Sequence, residues 1–171
     1  MQTNSNHDTF LGLMKLGADS AQYLLQQGVA FEPIFLYVAN NALAGCVTGC
    51  PDESGDHFVD TIRHLAVAQN VTEGVLVGLF EGRSESAPAG PAREFVMLVY
   101  QSRTRTLTYL APVHRAADGT FLHLGRNEQA HNVPGLDNIV PEQEPGEAER
   151  LASKLVVQNR KLVIQLPVTA E

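Results

Sequence analysis

Apolar residues recur at spacings of three and four along the first part of the chain, at Phe10, Leu13, Met14, Ala21, Leu24 and Leu25. That spacing predicts an amphipathic helix over residues 8–27, with Asp8 as its cap and Gly28 as its stop. Gly17 within it costs of order 1 kcal/mol relative to alanine, a cost that makes sense where another backbone approaches closely. Pro33 blocks continuation, and the pattern then changes period. Residues 34–39 and 43–48 are short, apolar and rich in strand formers, and the Asn40-Asn41 pair between them tolerates positive φ, so they read as a hairpin. Pro51 closes the second strand. Asp52 or Ser54 then caps a second helix that runs to about Gln69 on Phe58, Val59, Ile62, Leu65 and Ala66, with Asn70 as its terminator.

Two nearly continuous apolar runs follow, residues 74–80 and 94–100, the pattern of strands covered on both faces near the centre of a sheet. The Pro/Gly/Ser/Ala stretch between them, residues 82–93, has nothing to bury and is expected to be an exposed loop. Residues 106–113 alternate like a strand, although Pro112 limits that end to an edge or a finish. Asp118-Gly119 marks a turn that returns the chain over residues 120–124. Residues 127–145 are polar, with prolines at 134, 141 and 145, and read as a long loop. A third helix is expected from Glu147 to about Gln158, on Leu151, Leu155 and Val156, with Glu147 and Glu149 near the positive end of its dipole. Residues 161–166 suit a last strand. Short turns between consecutive strands require antiparallel pairing, so the expected fold is α+β: a single, mainly antiparallel sheet of about five to six strands with helices packed on it.

This order loosely resembles roadblock-like and profilin-like small domains in topology. The succession of helix, hairpin, helix, the strand GVLVGLFEGR, a polar loop and the strand REFVMLVY is also similar to small bacterial or phage proteins of no known function. That similarity covers residues 11–115 and rests on apolar patterning, so it implies a fold and carries over no catalytic residue.

The chain has 171 residues, 44% of them hydrophobic and 18% charged, which fits one domain spanning residues 1–171 with a core of its own. Residues 1–7 are expected to form a flexible N-terminus. The opening MQTNSNHD has no basic segment followed by an apolar one, and no run approaches the roughly 18 apolar residues that span a bilayer. The expected location is therefore cytoplasmic, away from membranes. Phosphate-cradling and dinucleotide-binding glycine motifs are absent, and no cofactor is expected.

Three sets of residues invite chemistry. Cys46 and Cys50, with His57 downstream, are of the types that bind zinc. Along a strand, however, four residues at about 3.3 Å each put the thiols roughly 13 Å apart, too far for one metal or a disulfide unless the chain turns tightly at Gly49. Reduced, partly buried cysteines are the simpler expectation. His57, Asp60 and His64 fall within roughly 60° of one another on the second helix, as two imidazoles and a carboxylate for a metal or for acid/base work. The same face lies opposite Phe58, Ile62 and Leu65, where solvent-facing polar residues are ordinary.

The third set is electrostatic. Residues 1–82 hold two basic and nine acidic side chains, residues 83–126 six arginines against three acids, and residues 127–171 four basic and seven acidic, for local charges of −7, +3 and −3. Arg93, Arg103, Arg105 and Arg115 are the candidate binding residues of the basic block. A strand through Arg103 and Arg105 would point both to one face, and guanidinium forks suit carboxylates and phosphates. Internal pairing with the acidic blocks competes with that reading. A net charge of −7, a pI near 5.3 and 6% aromatic residues disfavour general nucleic-acid binding. The leading expectation is a non-catalytic module that binds another protein, compatible with a homodimer. The alternatives are a metal-assisted hydrolase using His57, Asp60 and His64, and a small-anion sensor using Arg103, Arg105 and Arg115.

Overall fold

The computed structural model describes residues 3–48, 55–83, 89–160 and 163–165. It contains helices α1 (Thr3–Gln27), α2 (Gly55–Ala68) and α3 (Glu147–Gln158). The strands are β1 (Ile34–Ala39), β2 (Ala42–Thr48), β3 (Val71–Gly82), β4 (Arg93–Ser102), β5 (Thr106–Arg115), β6 (Phe121–Leu124), β7 (Glu128–Ala130) and β8 (Val163–Gln165). All pairings are antiparallel, in the order β6-β5-β4-β3-β1-β2-β8, with β7 also paired to β5. The fold is α+β, as expected, with eight strands where about five to six were expected.

Local chemistry accounts for the turns. Asn40 and Asn41 take φ of 53° and 61°, the left-handed pair that a two-residue hairpin needs. Asn70, at φ 52°, ends α2, and Gly28, at φ 64°, ends α1. The long β3 and β4 hairpin forms the middle of the sheet, and residue alternation along it divides the core in two. Val75, Val77, Val96, Leu98 and Tyr100 face α1, where they meet Leu13, Met14, Ala21 and Leu25. Phe35, Tyr37, Leu76 and Val99 face the other way, against Phe58, Ile62, Leu65 and Ala66 of α2.

Gly17 is needed where α1 crosses the sheet, but it is side chains that come close rather than another backbone. A Cβ there would sit 3.1 Å from methyl carbons of both Leu98 and Val77.

Four expectations change. The first helix begins at Thr3, so Asp8 is interior and does not cap it, and residues 3–7, expected in a flexible N-terminus, are helical. Apolar spacing cannot register those residues, because the sequence TNSNH contains no apolar side chain. The loop expected over 127–145 contains β7, an edge strand recruited by backbone pairing alone, and buries Ile139 and Val140 under the sheet. In α3, Leu151 and Leu155 are 60% and 55% exposed, and the buried residue is Ser153. The helix lies on α2, where a small side chain permits close approach. In the expected loop 82–93, residues 84–88 lie outside the described part, and the described residues are mostly exposed. The capping positions Asp52 and Ser54, Cys50 and residues 161, 162 and 166 also lie outside it. Among the described residues, no helix is long and apolar enough to cross a membrane.

Candidate functional site

Buried Gln101 near the end of β4 fixes the shape of the candidate site. Its side-chain oxygen accepts the backbone N–H groups of Ile139, at 2.8 Å, and Val140, at 3.1 Å, while its amide nitrogen donates to the Leu136 carbonyl. One buried amide therefore pins a whole loop against the sheet. From α2, Arg63 donates to the carbonyls of Gly135 and Asp137, the second at 3.3 Å. Asn132 holds the near end, donating to the Thr106 carbonyl at 3.2 Å and accepting from the Thr108 hydroxyl at 3.2 Å. Positive φ at Gly135 (86°) and Asn138 (60°) lets the loop double back between these anchors. Neither the glutamine nor the loop carries a motif. The only sequence signal was a polar residue, Gln101, at the end of an otherwise apolar run.

The pinned loop and the β4–β5 turn face one another across an open, mostly polar cleft of about 750 Å³, lined by Arg103, Arg105, Asn132, Asp137, Asn138 and Glu142 among others. The chain reverses at residues 102–105, where the Ser102 N–H donates to the Arg105 carbonyl at 2.9 Å. Arg103 and Arg105 thus belong to a turn rather than a strand, and their guanidinium groups diverge because turn residues do not follow the two-residue period. Arg105 lies 5.3 Å from the centre of the Phe10 ring and 5.4 Å from that of Tyr100, on the α1 side. Arg103 reaches the other side and donates to the Asn70 side-chain oxygen at 2.6 Å, and Asn70 in turn donates to Glu144 at 3.3 Å. The Nε of Arg103 is buried and has no hydrogen-bond partner, the one such side-chain nitrogen or oxygen among the described residues. A buried N–H of a charged group without an acceptor is costly, and it belongs to a residue that lines the cleft.

The four candidate arginines are not one patch. Arg93 starts β4 and Arg115 ends β5, roughly 30 Å from the Arg103 turn at about 3.3 Å per residue. Arg115 is spoken for by Glu94, which it grips through Nε and, at 3.1 Å, through Nη2; the carboxylate holds the guanidinium above its ordinary pKa. Arg93 is exposed.

The His/Asp/His face of α2 is partly covered by α3 and Arg160, with the Asp60 side chain still 51% exposed. His64 Nδ1 is 3.4 Å from the Ser153 hydroxyl, and Arg160 sits on the His57 ring, 2.6 Å from Nδ1, and 3.8 Å from Asp60. A metal ion there would meet a guanidinium already in place. Among the described residues, no group of three or more histidine, cysteine, aspartate or glutamate side chains is arranged to hold a metal. Cys46 packs half-buried into the core on the α1 side, where burial pushes its thiol pKa up, and His57 lies on α2 across the sheet. Those two are not neighbours, and Cys50 is outside the described residues. His114 and His123 form a cross-strand stack with ring centres 4.6 Å apart, on the β5–β6 hairpin.

No family model matches the chain, and neither a curated protein nor a solved structure matches it.

Proposed function

We propose that this chain is a non-catalytic recognition module that holds an acidic segment of a partner protein in the cleft between the β4–β5 turn and the loop of residues 132–142. The observation that carries the reading is Arg103, which lines the cleft and keeps a buried Nε–H without an acceptor. A side-chain carboxylate of the partner would accept from that N–H once the Arg103 side chain turns it out into the cleft, the geometry for which a guanidinium is suited. Arg105 adds charge nearby. Asp137 and Glu142 on the opposite wall select against a bare polyanion and suit a peptide, which offers backbone N–H donors as well as carboxylates. The pinned loop also favours binding, since little backbone order remains to be imposed when the ligand arrives.

Titration with the capped peptide Ac-Glu-Glu-Glu-NH2 tests the proposal. Arg103→Ala is expected to weaken binding by about tenfold or more, in line with a hydrogen bond to a charged group. Unchanged affinity in that variant would remove the proposal. A second reading, a small-anion sensor, is favoured by the cleft's volume of about 750 Å³, which suits a small molecule. A rise in melting temperature with inorganic phosphate, absent with the peptide, would select it.

A further inference from the structure

A second cavity, about 380 Å³, lies on the α1 side between the helix and the β1–β2 turn. Gly12, Leu13 and Leu16 line it from α1, Val38 and Leu43 from the hairpin, and Glu73 from the start of β3. Its walls are mainly apolar. Leu13 and Val38 are buried at its base, while Leu16 and Leu43 stand 37% and 39% exposed at its mouth.

Glu73 is the anomaly. Along β3, residues 73, 75 and 77 share the face that packs against α1, so an acid occupies a position that the strand's alternation reserves for core residues such as Val75 and Val77. Among the described residues it is the only ionisable one lining the cavity. The buried Tyr100 hydroxyl donates to Glu73 Oε2 at 2.6 Å and fixes the carboxylate's orientation. Among the described residues, no lysine, arginine or histidine makes an ion pair with it, and its other oxygen receives no hydrogen bond. The Arg105 guanidinium lies over the Tyr100 ring, 5.4 Å from its centre, and makes no ion pair with the carboxylate. Tyr100 is pushed up to about 12, first by burial and then by Glu73, so it remains a proton donor at neutral pH. A half-buried carboxylate with no ion-pair partner, at the side of an apolar cavity, is complementary to a cation that carries hydrocarbon.

We propose that this cavity binds a small alkylammonium ion, with its chain against Leu13, Leu16, Val38 and Leu43 and its ammonium group on the open oxygen of Glu73. The partner cleft lies elsewhere, so this site stands or falls independently of it. Calorimetric titration with hexylammonium is expected to show saturable binding, with hexanol weaker and hexanoate weaker still. Glu73→Gln should reduce hexylammonium affinity by about tenfold while leaving hexanol binding unchanged. Its melting temperature should change little, because the glutamine amide oxygen can still accept from the Tyr100 hydroxyl.

Gly12→Leu is the steric control. A Cβ at this position meets no atom within 4 Å, and leucine is the better helix former, so the variant should fold at least as well and fail to bind. Lack of hexylammonium binding, equal binding of hexanoate, or full binding by Gly12→Leu would each overturn the proposal. Nα-acetyl-lysine methylamide provides the last arm. Binding as tight as hexylammonium makes a lysine side chain the source of the ammonium, whereas a clear preference for hexylammonium makes it a free amine.

Discussion

The two ends of the β4–β5 hairpin carry the same residue type under opposite conditions. At one end Arg115 lies on the surface, engaged through two nitrogens by Glu94, and needs nothing more. At the other end Arg103 is drawn into the protein, satisfied at one nitrogen by the neutral amide of Asn70 and left without an acceptor at Nε. Both belong to the same basic block of the sequence, and neither count nor spacing separates them. Exposure and partner chemistry do: a guanidinium with its own carboxylate is a surface ion pair of small worth, while one with a buried, unaccepted N–H keeps a hydrogen-bonding demand that the protein itself does not meet.

The largest effect is expected when the loop facing Arg103 is released. Gln101→Ala leaves the buried N–H groups of Ile139 and Val140 without their acceptor, and a loss of about 2 to 5 kcal/mol is expected in urea denaturation. Peptide binding should be lost with it, and faster hydrogen exchange at residues 139 and 140 would localise the effect. A smaller change is expected from Arg103→Lys. It keeps the charge but loses the planar fork, so peptide affinity should fall severalfold with little change in stability, as read by calorimetry beside the melting curve.

High pH probes a buried tyrosine on each face of the sheet. The folded state raises Tyr100 to about 12 and also raises buried Tyr37, in both cases chiefly through burial. Each group holds its proton more tightly when folded than when unfolded. Their stabilising contribution is complete below pH 10 and is lost as pH rises through the folded values. Alkaline denaturation should therefore begin above pH 10, and Tyr100→Phe should flatten that part of the profile. The smallest effect belongs to Arg115→Ala, expected to cost under about 1 kcal/mol and to leave peptide affinity unchanged.

Much of the architecture was legible in the sequence because its cause is local. The Asn40-Asn41 turn, the glycine stop at 28 and the two apolar central strands each follow from residues within a few positions of one another. What the sequence concealed depends on distant contacts. Ile139 and Val140 read as loop residues because their partner, Gln101, is 38 and 39 positions away. Leu151 and Leu155 satisfy helical spacing, yet α3 turns Ser153 inward because α2 is its neighbour. Likewise, the His57, Asp60 and His64 face was readable as a face, but its cover, including Arg160, comes from about a hundred residues later. Charge blocks located the arginines without showing which of them lacks an acceptor.

The most direct measurement follows the arginine Nε–Hε resonances by NMR while Ac-Glu-Glu-Glu-NH2 is added. The account predicts a saturable shift of the Arg103 resonance, smaller changes at Arg105 and none at Arg115. An Arg103 resonance that stays in place while the peptide binds, or a shift centred on Arg115, would contradict it.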